Sequence, residues 1–381
     1  MREIVRGRLV LPSDVVPGRV VVDDGMITDV VPDAAHAGGP FVAPGYIDVH
    51  VHGWGGHDAT GDADALSGMA RALLRQGVTS FLPTAPTLAE QELPRFADRV
   101  RSWVPIAPAD GAEPLGFNLE GPFLAPARRG AHDPALLRRP VDLDPAVIER
   151  VLDGLRIMTI APELPGSLQL ITRLAGLGIV PSIGHSQSTL EQARAGFAAG
   201  GRTTTHLFNA MTGVDHRLPG LAVAALTDDD VFAELIADGF HVDPALWPII
   251  TRTKPAHRLV LVSDALPLAG MGDGRTRVGG LDVEVRGGRA TLLGTDTLAG
   301  STIALDSAVR NLVREGLPLP RAVAAASSNP AELLGARDRG RIEVGRLAHL
   351  VELDDDLRVR CVLRGDAWVE GVAPGALRSG R

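Results

Sequence analysis

The chain has 381 residues, 45% of them hydrophobic, enough apolar side chains for one large domain and a small one. Its formal net charge of −8 argues against a nucleic-acid surface, and no apolar run approaches the roughly 18 residues that a membrane span needs. The single Cys361 has no partner for an internal disulfide and fits a reducing compartment, so a cytoplasmic setting is expected, the more so because MREIVRGRLV lacks the apolar stretch of a signal peptide.

In chain order, residues 1–43 hold short β-like runs with turn residues, among them "GRVVVDDGMITDVV", whose "DDG" reads as a hairpin turn. The run 46–52 then raises a chemical question. Side chains on a strand alternate faces, so His50 and His52 point the same way. A core has little use for two adjacent imidazoles, because each brings a nitrogen that needs a partner. A metal ion would satisfy both.

Further apolar runs at 78–82, 115–119, 156–161, 179–183, 203–208, 232–237 and 259–263 bring the candidate strands to eight. Helical patterns lie between several of them. Leu66, Met69 and Leu73 fall on one face of a helix that Gly77 would stop. Ser188 and Glu191 form a capping-box pattern before a helix that Gly200 would end. Leu305, Val309, Leu312 and Val313 mark another amphipathic helix. The stretch 281–293 reads as a hairpin inserted in this series. Residues 343–381 return to β-like runs, with a turn at "RGD" 364–366.

Strands alternating with helices predict a (β/α)8 TIM-like barrel over 44–342. A six-stranded doubly wound sheet with extra edge strands is the alternative. The two ends, 1–43 and 343–381, read as halves of one small β-sandwich beside the barrel.

The polar residues then fall into place. His50 and His52 end the first strand, Glu120 the third, His185 the fifth and Asp264 the eighth; His206 lies in the sixth, and His241 follows the seventh. The C-terminal strand ends of such a barrel surround one cavity. Imidazole and carboxylate are the ligand set of Zn, Fe or Mn. A lone histidine in an apolar run is by default a hydrogen-bonded core residue, but a set of them spread over several strand ends is not explained that way. His36, His257 and His349 have no motif context and are expected at the surface. His57 and His216 stand near motifs without a clear part in them. The glycines of "GWGG" read as turn formers, since no phosphate-loop pattern follows.

"APGYIDVHVHG", "NLEGPF", "RRGAH", "IGHS", "THLFNAM", "HRLPGL", "ADGFHVD", "SDAL", "LAGS" and "SSNPAELLG" occur in that order. Together they closely resemble the N-acetylglucosamine-6-phosphate deacetylases of the amidohydrolase superfamily, along the whole chain. The resemblance implies a metal-dependent hydrolase of a small amino-sugar phosphate, with no nucleic-acid or membrane partner, acting as a homodimer. It implies Glu120, His185 and His206 as principal ligands of a divalent ion. Some members lack the HxH pair and hold one ion; because this chain keeps His50 and His52, which would complete a second site, one or two ions per chain are expected. Asp264 matches the catalytic carboxylate. Asn209, Ala210, Arg217 and His241 match positions that hold the sugar phosphate. Ala131 and His132 match a loop over the sugar, and Leu298, Ala299 and Gly300 a further substrate-facing stretch. Three residues depart from the pattern: Asn118 and Leu218, where a His and an acidic residue are common, and His349, where Asp is usual. N-acetylgalactosamine 6-phosphate or another N-acyl sugar is the alternative substrate. Cyclic amide hydrolases share the barrel but bridge two metals through a carboxylated lysine, and the only lysine here, Lys254, is not at a strand end. A metal-free barrel serving as a binding scaffold is the reading from a different class.

Overall fold

The computed structural model describes residues 3–371. The final part of the expected second half, 372–381, lies outside the described residues, as do residues 1–2. The central sheet contains β1 (Tyr46–Val51), β2 (Val78–Ala85), β3 (Phe117–Glu120), β4 (Leu155–Ile160), β5 (Val180–Ile183), β6 (Thr203–Thr204), β7 (Phe232–Leu235) and β8 (Leu259–Leu261). Each pairs in parallel with its neighbours in sequence, from β1 through to β8. The first and last strands meet where Asp264 N donates to His50 O and His52 N to Ala265 O, both at 2.8 Å. An open doubly wound sheet would leave these two strands at opposite edges. The sheet is therefore a nearly closed barrel, as the alternation predicts. Its strands are buried along both faces, which is why they read as apolar runs with scattered polar residues.

The sixth run differs from expectation. Only Thr203–Thr204 holds ladder bonds. The chain then bends out of the sheet through His206, Phe208 and Ala210, whose φ angles are +29°, +75° and +49°.

α1 (Ala63–Leu74) buries Leu66, Met69 and Leu73 as its spacing predicts, with Asp62 accepting from Ala65 N as the cap. Gly77, at φ +87°, turns the chain into β2. α2 (Leu190–Ala198) corrects the capping expectation by one residue. Its cap is Thr189, in a reciprocal box with Gln192. Ser188 is buried and its hydroxyl instead accepts from Ser186 Oγ at 2.8 Å. "STLEQ" contains two overlapping boxes, and packing chose the second. α3 (Leu305–Arg314) buries Leu305, Val309 and Leu312, while Val313 stays half-buried.

The stretch 281–293 does form a hairpin, Leu281–Arg286 with Arg289–Leu292, turning at Gly287–Gly288. It gains a third antiparallel strand, Gly274–Val278, that the sequence pattern did not mark. Val283, Val285 and Ala290 of this sheet pack on Leu266 and Ala299, which fastens it over the mouth of the barrel.

Among the described residues, the two ends of the chain share one seven-stranded sheet. Val5, Leu9, Val20, Val22, Ile27, Val42, Leu350 and Leu363 form its own core, while Val10, Ala43, Val351 and Val362 pack with the barrel. The turns at 23–25 and 364–366 fall where expected. His349 does not: it is buried at 6% exposure, not at the surface, because it opens the strand His349–Leu353 against the underside of the barrel. His257 is exposed as expected, and His36 is half-buried.

Candidate metal centre

β1, β3, β5, β6 and β8 each deliver polar side chains to one end of the barrel. Glu120 is the last residue of β3, and His50 lies in β1 with His52 just beyond it. His185, His206 and Asp264 all have left-handed backbones, at φ +46°, +29° and +49°. For a residue other than glycine such a conformation costs on the order of 1 kcal/mol or more. These bends swing the three side chains over the strand ends.

The side chains meet around Glu120. Its Oε1 lies 2.9 Å from His185 Nε2 and 3.0 Å from His206 Nε2. Its Oε2 lies 3.1 Å from His52 Nε2, 3.3 Å from His132 Nε2 and 3.6 Å from His50 Nε2. Asp264 Oδ1 stands 3.1 Å from His52 Nε2 and 3.6 Å from His50 Nε2. Two ligand groups result: Glu120 with His185 and His206, and His50 and His52 with Asp264, all buried.

The far side of each ring shows what these nitrogens offer. A carbonyl oxygen can only accept. His185 Nδ1 lies 2.8 Å from Arg128 O, and His52 Nδ1 lies 3.0 Å from Thr84 O. Both rings therefore carry their proton on Nδ1 and turn the Nε2 lone pair inward. His185 Nε2 then sits 3.0 Å from His206 Nε2 and beside a carboxylate oxygen. Such a cluster of electron pairs repels itself unless a proton or a cation lies among them. The donor set thus fits a divalent ion. His132 is the opposite case. Thr87 N donates to its Nδ1 at 3.2 Å, so its proton is on Nε2, facing the cavity.

The charges respond to this crowding. Burial opposes a charge on His52, yet hydrogen bonds to Asp264 and Glu120 outweigh it and lift its pKa to about 9. Burial likewise works against the Asp264 carboxylate, but His52 and His50 hold it down at about 2. Glu120 is held well below the usual carboxylate range, its burial overcome by His132 and His50. A bound cation would take over the part played by these protons.

Above the cluster is a cavity of about 440 Å³. His52, Glu120, Ala131, His132, His185, His206, Asn209, Ala210, His241, Asp264 and Leu298–Gly300 line it. His50 lies one layer below, fully buried. His241 is set by Asp238, 2.7 Å from its Nδ1, and this contact outweighs burial and raises its pKa. Arg217 is not brought to this cavity. It lies in an exposed loop, with its backbone N donating to Asp215 Oδ1. Leu218 beside it is 81% exposed. Asn118 is buried in β3, where its Nδ2 donates to Val49 O at 3.0 Å and ties β3 to β1 below the cluster. Lys254 spends its ammonium on Ala225 O and Asp228 O, away from the strand ends, so it is no candidate bridge.

Three residues near the site escaped the sequence reading. Arg128 lines the cavity from the "RRGAH" motif, and Arg289 reaches it from the inserted sheet. Nothing in the local pattern marks Arg289. Glu234, fully buried in β7, contacts both His50 and His206. A carboxylate inside the run "VFAELIA" was a signal open to notice.

The amidohydrolase family model matches residues 41–375. An N-acetylgalactosamine-6-phosphate deacetylase of Escherichia coli O157:H7 is 36% identical, over 97% of this chain and 99% of its own length. An N-acetylglucosamine-6-phosphate deacetylase of Bos taurus is 40% identical, over 94% and 91%. Among solved structures, N-acetylglucosamine-6-phosphate deacetylase from Thermotoga maritima superposes with a TM-score of 0.90 at 32% identity, over 96% of this chain and 99% of that one.

Proposed function

The chain belongs to the amidohydrolase family, and we propose that it hydrolyses the acetamide of N-acetylglucosamine 6-phosphate to glucosamine 6-phosphate and acetate. The observation that carries this reading is the convergence of Glu120, His185, His206, His52 and Asp264 on the floor of one cavity, with His50 directly beneath them. The likeness to deacetylases of phosphorylated amino sugars supports the choice of substrate.

Donors of nitrogen and oxygen without a thiolate suit zinc, iron or manganese. A divalent ion held by Glu120, His185 and His206 would supply Lewis acidity, lowering the pKa of water toward neutrality and polarising the acetyl carbonyl. The remaining work falls to the chain. Asp264 is ionised at the cavity floor, so it can take the proton of the attacking water and hand it to the departing amine as the C–N bond breaks. His132 presents its Nε2–H to the cavity, where it can donate to the oxyanion of the tetrahedral intermediate. His241, whose pKa the Asp238 contact raises against the opposing effect of burial, faces the cavity and can donate to the phosphate when protonated. Asn209, Ala210 and the stretch Leu298–Gly300 shape the sugar's place.

We assign two ions, one to each ligand group, with Glu120 between them. We also assign a homodimer. Arg217 stands in an exposed loop with Val214 at 66% and Leu218 at 81% exposure, and that apolar rim suits contact with a second copy. Arg217 would then serve its neighbour's phosphate rather than its own. We place the enzyme in the cytoplasm, which suits a chain whose single cysteine is free.

The test is a panel of phosphorylated and unphosphorylated N-acetyl sugars, assayed after metal reconstitution. N-acetylglucosamine 6-phosphate should be turned over fastest, ahead of its galacto epimer and far ahead of the unphosphorylated sugar. The reading is wrong if a fully metallated protein releases acetate from none of the phosphorylated sugars.

A further inference from the structure

Glu234 has no place in the chemistry above, yet it is a wholly buried carboxylate on β7. Burying such a group without partners is costly. Its Oε2 lies 3.4 Å from His50 Nδ1 and accepts from His206 N at 3.3 Å. Its Oε1 has no hydrogen-bond partner among the described residues. His50 is equally buried, and its Nε2 has no hydrogen-bond partner either; it lies 3.6 Å from both Glu120 Oε2 and Asp264 Oδ1.

The other inward-facing rings explain why this contact matters. His52 and His185 are set by backbone carbonyls, Thr84 O and Arg128 O. A carbonyl fixes the proton on Nδ1 and frees Nε2. The partner of His50 Nδ1 is instead a carboxylate. It accepts only, like a carbonyl, but its charge also makes the imidazole a stronger donor to a cation. The same carboxylate oxygen reaches the backbone of His206, a residue of the other ligand group.

We infer that Glu234 is a positioning residue for His50: it fixes the ring with Nε2 as the free lone pair and so sets the affinity of the cation site formed by His50, His52 and Asp264. The inference rests on the metal reading of that site. It does not depend on which amide the enzyme cleaves.

The experiment titrates zinc into the metal-free protein against a chromophoric chelator, and records histidine ¹⁵N spectra of the zinc-loaded protein. Wild type should take up two ions. Glu234→Leu keeps the bulk and removes the acceptor. It should weaken one ion by about 10- to 100-fold and leave the other unchanged. Glu234→Gln retains an acceptor and should restore most of that loss. In the wild-type spectrum, His50 should hold its proton on Nδ1 and coordinate through Nε2. An unchanged zinc isotherm in Glu234→Leu, an equal weakening of both ions, or coordination of His50 through Nδ1 would each overturn the inference. Uptake of a single ion by wild type would overturn it too, while leaving the hydrolase reading intact. A doubly loaded protein without deacetylase activity would strike the hydrolase reading and spare this one. Should Glu234→Leu fail to fold, the wild-type spectrum decides alone.

Discussion

Asp264 carries two burdens, as a member of a ligand group and as the ionised group facing the cavity. Asp264→Asn keeps its shape and removes its basicity. Turnover should fall by about two to four orders of magnitude, with the ion at Glu120, His185 and His206 retained and the circular dichroism unchanged. Near-normal turnover with metal bound would rule Asp264 out as the proton carrier. His50 and His52 are tested by content rather than rate: changing both to Asn should remove one ion per chain, and unaltered metal content would refute the second site. His349 is a separate matter of stability. Burial first, and the Arg339 charge next, hold its pKa down at about 4. In the unfolded chain a histidine titrates near 6.5. Between those values the unfolded state binds the proton and the folded state does not, so stability falls as pH drops from about 6.5 to about 4. The full effect is about 3 kcal/mol. His349→Asn should flatten this slope in urea midpoints measured at the two ends of the window; an unchanged slope would place the acid sensitivity elsewhere.

At the scale of elements, the device that builds the site is the abrupt strand end. β5, β6 and β8 all stop just before a candidate ligand in a left-handed backbone, so each histidine or carboxylate is aimed by the fold and not by a flexible loop. The helix that follows β5 is held by its own cap. Thr189 and Gln192 satisfy each other's backbone donors at the start of α2. Thr189→Ala should cost about 1 kcal/mol in denaturant unfolding, and leave metal content unchanged. A neutral substitution would mean that the neighbouring turn, already fixed by Ser186 and Ser188, supplies the cap's function.

For the whole molecule, the question is whether each chain's cavity is complete. Arg217 stands outside the lining of its own cavity, so on the homodimer proposed above any effect it has on phosphate should act from the neighbouring chain. Arg217→Ala should lower kcat/KM on the phosphorylated sugar by about one to two orders of magnitude, the worth of one charge-assisted contact. It should hardly touch the unphosphorylated sugar. Mixing this variant with Asp264→Asn tests the geometry directly. In a mixed dimer, one cavity has both defects and the other has neither. Activity should therefore rise above that of either variant alone. If Arg217 acts within its own chain, no mixed cavity is intact and the activity will not recover.

Much of this was legible in the sequence because the signals are local. Alternation of strand and helix patterns predicted the barrel, since a buried parallel strand is an apolar run and its helices keep their own period, but only the meeting of the first and last strands excluded an open doubly wound sheet. Paired histidines two residues apart declared a shared face, and the polar residues that end later strands declared where they converge. Hairpin turns at 23–25, 287–288 and 364–366 were readable because paired strands need left-handed residues there. What sequence alone could not decide depends on partners far along the chain. The cap fell to Thr189 because Ser188 was needed in the core, a choice between overlapping patterns that only packing makes. His349 is buried because the C-terminal strands close against the underside of the barrel. The tautomers of His52, His132 and His185 follow from Thr84, Thr87 and Arg128 on other elements. Glu234 gained its meaning only when β7 brought it beside His50, across a separation of 184 residues. Residue type sets which chemistry is available; the fold decides which lone pair faces the candidate metal site.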